Sequence, residues 1–290
     1  MYKIGCIGHA GRHGEFFSRL FNREQMFDGY RFSYVFGEDE ELSDEEKNQR
    51  FYHVDAYCPT VDELIEKSDA VMILTIPGES HLPYALKVIK ARKPVFVDKP
   101  FATTYEDAKA ITEAARAYDV PLFGGSTLRH LKKLDEIRQL MKEETFPFVS
   151  ISYRADPESP LGLYHYYASH IAEICISLCG PGYQNIAVSR NGKNICTVVT
   201  YPHCSAVLMT TLDTELVNIH LTGKKSYSFD LNQDECYIDG ATKFIQMIQT
   251  GRPPVPYEEY CQSVRLIQDI TCKMNALMYW PTGIRANYAE

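Results

Sequence analysis

Residues 68–111 read SDAVMILTIPGESHLPYALKVIKARKPVFVDKPFATTYEDAKAI. Ala70–Thr75 is apolar throughout, without alternation, which is the pattern of a strand buried on both faces. Glu79–Ala91 places Leu82, Ala85, Leu86 and Ile89 on one face at helical spacing. Pro94–Val97 opens a second fully apolar strand. Thr104 and Asp107 then form a capping-box pattern before a helix over Tyr105–Tyr118. Apolar strands alternating with helices imply a parallel sheet covered on both sides.

The same alternation extends in both directions. Upstream, Tyr2–Ile7 is a short strand ending at Gly8, and a helix over Gly14–Asn22 carries Phe16, Phe17, Leu20 and Phe21. Tyr30–Phe36 is a second strand, and Val61–Glu66 a short helix. Downstream, Pro121–Phe123 is a strand ended by Gly124-Gly125. Right-handed crossovers make residues 1–125 a doubly wound, Rossmann-like domain. Beyond it the pattern changes. A helix over Leu131–Glu143, a strand over Phe148–Arg154 and a helix over Tyr166–Leu178 precede five strand-like runs between Ile186 and Leu231. Helical segments over Ile238–Thr250 and Tyr257–Leu277 close the chain. Residues 126–290 are expected to form an α+β domain with a largely antiparallel or mixed open sheet.

Composition narrows the function. The 290 residues are 45% hydrophobic and 23% charged, with a formal net charge of −8. An acidic balance argues against nucleic-acid or anionic-membrane partners. The nine cysteines are scattered, with no CxxC pair and no ligand cluster. That usage fits reduced, buried thiols in a cytoplasmic protein, and no metal site is expected. No apolar stretch reaches the roughly 18 residues of a membrane span.

The first turn reads GHAGRHG from Gly8 to Gly14. A tight strand-to-helix turn of small residues lets backbone N–H groups approach a pyrophosphate. Ala10 and His13 stand where the GxGxxG spacing has glycine, so a generic tight turn is the alternative; the position after the first strand favours a dinucleotide. Gly8, His9, Gly11, Arg12 and His13 are the candidate contacts. Glu38, with Asp39 as the alternative, stands at the end of the second strand to accept hydrogen bonds from the adenosine ribose, and a carboxylate there would repel a 2′-phosphate, which favours NAD over NADP. Asp98-Lys99-Pro100 follows the buried strand VFV, and a lysine there points into the crevice where such sheets bind ligands.

With these residues in place, Ser68–Ile111 resembles the Gfo/Idh/MocA family of NAD(P)-dependent oxidoreductases, which carry a DAV strand, a TPP-like turn followed by a histidine, and an EKP(L/F)A signature. The resemblance covers the N-terminal domain in order and thins to general architecture in the second. It implies that Lys99 contacts the nicotinamide ribose and the substrate oxygen, and that Thr75, Ile76 and Pro77 line the cofactor. His81 matches the family's histidine at the start of the next helix, beside the cofactor or simply packing that helix. The second domain's sheet is implied to mediate a homodimer or homotetramer.

The segment LYHYYASHIAEICISLCGPG carries a second constellation. At about 100° per residue, Tyr166, His170, Glu173 and Ser177 share one stripe. Glu173 is placed to orient the His170 imidazole and Tyr166 to hydrogen-bond a substrate. The family often has D-x-G-x-H here. His170 matches its histidine, Tyr166 stands for the Asp and Ala168 for the Gly, and YYASHIAE is similar to a YYGIHxxE form. Arg129 resembles an arginine at the family's cleft; a surface salt bridge is the alternative. Lys99 and His170 are thus the candidate catalytic pair, with Tyr166, Arg129 and Glu173 as substrate contacts. The expected activity is hydride transfer between NAD(P) and a secondary alcohol of a sugar, polyol or cyclitol. An NAD-dependent lyase or glycosidase with transient internal oxidation, or a non-catalytic nucleotide-binding sensor or scaffold, would use the same fold.

Overall fold

The computed structural model describes residues 1–8, 11–37, 51–76 and 78–278. The first sheet holds β1 (Tyr2–Ile7), β2 (Tyr30–Phe36), β3 (Ala56–Tyr57), β4 (Ala70–Ile73), β5 (Val95–Val97) and β6 (Leu122–Gly124). Its order is β3-β2-β1-β4-β5-β6, and every neighbouring pair is parallel. The helices between them are α1 (Arg12–Ser18), α2 (Val61–Lys67), α3 (His81–Lys90) and α4 (Tyr105–Tyr118). Thr60 and Thr104 cap α2 and α4, each hydroxyl accepting a backbone N–H three residues on, at 3.1 Å.

Period-two alternation assigns the strand residues to two cores. Ile7, Val71, Ile73, Val95 and Val97 pack against α2, α3 and α4. Ile4, Cys6, Met72 and Phe96 face the other way, against Phe17, Leu20 and Phe21. A one-residue period error would exchange the two sets, so the pattern pins the register. α1 is shorter than the expected helix and continues as a π-type turn over Arg19–Arg23.

The second sheet contains β7 (Phe148–Arg154), β8 (Asn185–Asn191), β9 (Asn194–Thr200), β10 (Ser205–Thr211), β11 (Val217–Thr222) and β12 (Ser226–Leu231), in the order β12-β11-β7-β10-β9-β8. Only β7 and β10 pair in parallel; the other neighbours are antiparallel. One face packs under α5 (Lys132–Glu143), α6 (Leu163–Cys179) and the later part of α8 (Tyr257–Met278). The other face has no helix over it among the described residues. Val207 lies opposite Val198 and Met209 opposite Cys196 there, and Val198 and Met209 are 36% and 39% exposed.

The last two helices return to the first sheet. α7 (Cys236–Thr250) inserts Ala241, Phe244, Ile245 and Met247 into the core beside Phe96 and Phe123. Tyr260, Cys261 and Val264 of α8 enter the core on the opposite face. Phe244 meets Phe96 edge-on at 5.8 Å and Phe123 at 6.2 Å. Phe244→Ala should therefore destabilise the first sheet as well as α7, by about 3–5 kcal/mol. Urea unfolding followed by circular dichroism measures that loss.

Candidate active site

The order of the first sheet reverses between β1 and β4, and open α/β sheets take ligands at that switch point. β1 ends at Gly8, whose φ is +96°. A Cβ there would come within 2.6 Å of the Thr75 backbone nitrogen, so only glycine lets this turn lie against the end of β4. Gly11 is the N-cap of α1, and a Cβ on it would meet nothing nearer than Ile76 at 3.5 Å. Gly14 serves packing, since Phe51 would lie 2.7 Å from its Cβ. Thr75 and Ile76 are half-buried at the end of β4. Of the candidate cofactor contacts, His9, Glu38 with its alternative Asp39, and Pro77 lie outside the described residues.

His81 sits behind this turn. It is fully buried, with Nδ1 2.9 Å from the Pro100 carbonyl oxygen and Nε2 3.0 Å from that of Thr75. Both nitrogens are taken by backbone, so its place is to tie the β4 turn to the segment after β5.

β5 delivers Asp98 and Lys99, and the Lys99–Pro100 peptide is cis. Lys99 is only 4% exposed. Its ammonium lies 3.3 Å from the centroid of the Tyr166 ring and 5.1 Å from that of Tyr167, and donates to the Tyr166 carbonyl oxygen at 3.4 Å. Aromatic faces attract a desolvated cation and replace part of its lost hydration. Burial pulls the Lys99 pKa down to about 8, against the opposing charge of Asp98. Asp98 is itself buried, which works against its charge, but His13 and Lys99 outweigh that and hold its carboxyl below the ordinary value. His13 Nδ1 lies 2.5 Å from Asp98 Oδ2.

α6 supplies the facing wall. His170 is 8% exposed, and its Nδ1 lies 2.5 Å from Ser126 Oγ. Tyr153 meets the imidazole edge-on at 5.5 Å. Burial first, then the charges of Lys99 and His13, push the His170 pKa well below its usual value, so the ring is neutral near pH 7. Lys99, His170, Tyr166, Tyr167, Tyr153 and His13 line one cavity of about 650 Å³. It extends along α1 to Arg12 and Phe16, and Tyr237 of α7 stacks on Phe16 at 4.4 Å. That volume suits a small organic molecule.

The polar stripe on α6 leaves the cavity as it continues. Glu173 is 3% exposed and does not reach His170; both its oxygens accept the Ser126 backbone N–H, at 3.0 and 2.9 Å. It therefore bears on the imidazole through Ser126, which corrects the expectation of a direct contact with substrate. Burial raises its pKa to about 7, opposed by Arg129. Arg129 is also corrected: it is fully buried, 3.7 Å from Glu173 and paired with Glu259, and it is absent from the cavity lining. Buried between two carboxylates, the guanidinium answers charge with charge, and loss of either partner would leave an uncompensated interior charge. Ser177 ends the stripe as acceptor for Arg138 Nε at 2.9 Å. The partner of His170 was missed by sequence reasoning. Its signal was position: Ser126 directly follows the Gly124-Gly125 that ends the parallel sheet.

Among the described residues no group of three His, Cys, Asp or Glu side chains could hold a metal, and no helix is long and apolar enough to cross a membrane.

Residues 2–126 match the Gfo/Idh/MocA family model, described as an oxidoreductase family with an NAD-binding Rossmann fold. No curated protein matches the chain. Among solved structures, a probable dehydrogenase from Thermotoga maritima superposes with a TM-score of 0.77 at 17% identity, over 92% of this chain and 94% of that one. GenD2 from gentamicin A biosynthesis, in complex with NAD, gives 0.80 at 15% identity, over 95% and 94%. UDP-N-acetylglucosamine 3-dehydrogenase from Acidithiobacillus ferrooxidans gives 0.77 at 16%, over 95% and 98%. At such identities the superpositions establish the shared fold. Residues 2–126, which carry β1, β4 and β5, are thus similar to the Gfo/Idh/MocA oxidoreductases, whose family model is described as an NAD-binding Rossmann fold.

Proposed function

We propose that this oxidoreductase is an NAD-dependent dehydrogenase that interconverts a secondary alcohol of a sugar, polyol or cyclitol with its ketone. The observation that carries the reading is that Lys99 and His170 line one cavity beside the switch point of a parallel sheet. The close approach of Gly8 to Thr75 and the open side of Gly11 fit a dinucleotide laid across the strand ends. Gly8, Gly11, Arg12, Thr75 and Ile76 would hold it. When bound, the cofactor supplies the hydride chemistry. The acidic run after β2, with Glu38 first, favours NAD over NADP.

The chain's own residues then divide the work. His170, neutral near pH 7, takes the hydroxyl proton through Nε2, with Nδ1 donating to Ser126 Oγ. Ser126 Oγ already accepts the Leu128 N–H at 3.1 Å and has a second lone pair for this bond. Lys99 donates to the substrate oxygen as negative charge grows there, and its partial desolvation strengthens that bond. Tyr166 and Tyr167 shield the ammonium from water until substrate replaces them. The uncovered face of the second sheet, with Val198 and Met209, supports a homodimer or homotetramer.

Calorimetry with the four nicotinamide forms, followed by a sugar and polyol panel read by NADH absorbance, tests the reading; failure to bind any form defeats it. Lys99→Ala should lower kcat/KM by about 100-fold or more while keeping the unfolding midpoint. Because Lys99 must stay protonated and titrates at about 8, kcat/KM should fall as pH rises through about 8. The residual activity of Lys99→Met should lack that limb. Met209→Lys on the uncovered face should shift the assembly toward monomer in sedimentation velocity while leaving NAD affinity unchanged.

A further inference from the structure

Two imidazoles face the cavity, and the mechanism above uses one. His13, in the first turn of α1, hydrogen-bonds through Nδ1 to Oδ2 of Asp98 at 2.5 Å. Asp98 is 5% exposed, and its charged form is the one its neighbours favour. A carboxylate only accepts, so Nδ1 carries a proton toward Asp98, and in the neutral ring the lone pair falls on Nε2. Nε2 has no hydrogen-bond partner among the described residues, and the ring lines the cavity. Tyr237 holds the ring edge-on at 5.2 Å. His13 thus has its own orienting partner, just as His170 has Ser126, and it comes from the first sheet's side of the cavity while His170 comes from α6.

Removing hydride from a carbinol calls for one proton acceptor. A second oriented base, with the Lys99 ammonium facing the same space, is the equipment for moving a proton beside a carbonyl. We infer that His13, oriented by Asp98, is a second catalytic residue, which removes and returns a proton at the carbon next to the carbonyl of a bound hydroxyketone. The inference rests on the reading that the cavity binds such a ketone. In the step, His13 Nε2 takes the proton and the C–H electron pair becomes the carbon–carbon π bond of an enolate. The carbonyl π pair moves onto oxygen, where Lys99 donates a hydrogen bond. Return of the proton from Nε2 to carbon restores the ketone. No electrons leave the substrate and no co-reactant is consumed. Asp98 is a positioning residue, acting through the tautomer of His13.

The test uses dihydroxyacetone and a keto-inositol with the full chain in D2O. NAD⁺ is present because it fills the cofactor site and cannot reduce a ketone. Deuterium on the carbon next to the carbonyl is read by NMR, and parallel samples with NADH read reduction by loss of its absorbance. The unsubstituted protein should exchange that hydrogen above the uncatalysed rate. His13→Gln keeps a donor for Asp98 but has no basic nitrogen, and should lose about 100-fold or more of the exchange. Asp98→Asn should shift the pH profile of exchange, which a merely structural carboxylate would not. Lys99→Met leaves the His13–Asp98 pair in place and should also lose exchange, which keeps the test open should the His13 variant not fold. Reduction of a ketone that shows no exchange overturns the inference and leaves the dehydrogenase reading standing. Exchange without reduction supports the inference and overturns that reading. Neither reaction overturns both, and exchange undiminished in folded His13→Gln removes the role from His13.

Discussion

An ammonium kept almost out of water at the end of a parallel strand is the constraint around which this molecule is arranged. Removing Lys99 from solvent carries a desolvation cost that must be offset locally. The offsets are the neighbouring Asp98 carboxylate, the faces of Tyr166 and Tyr167, and a weak bond to a helix carbonyl. The offsets come from two elements, so β5 and α6 must sit in one relation for the cation to be tolerated. The depressed pKa that results makes Lys99 responsive to charge appearing on a ligand.

A second polar layer lies behind the cavity and holds its walls. Glu173 accepts the Ser126 N–H, Arg129 bridges Glu173 and Glu259, and Arg138 reaches Ser177 and the Arg129 carbonyl. These contacts join the segment after β6, α5, α6 and α8. Interior charges in this number are tolerated because they neutralise one another and take backbone donors. Their placement means that the His170 imidazole is oriented by a serine whose own backbone is fixed by a buried acid.

The first sheet was legible because fully apolar runs such as AVMILT fit only a strand covered twice, and because Gly8, Thr75 and Lys99 fall at strand ends by simple counting. Tyr166 and His170 were legible as a helical stripe, since spacing alone puts them on one side. What spacing cannot show is where a stripe passes from a cavity into the interior, so Glu173 and Arg129 read as ligand contacts when they are packing charges. Ser126 and the His13–Asp98 bond were hidden for another reason. Their partners are 44 and 85 residues away, and pairings at that separation depend on the tertiary arrangement rather than on any local period. The return of α7 to the first sheet was equally invisible, because its apolar face reads the same whichever sheet it covers.

That return has an evolutionary corollary. A chain whose early half closes its own interior can trade its later half for another and acquire a new specificity by recombination. Here Phe244 and Tyr260, late in the chain, complete the interior of the early half. A crossover near residue 125 would strip the nucleotide-binding half of two of its covering helices. Any exchange of the later half would therefore have to bring helices that cover the same two cores.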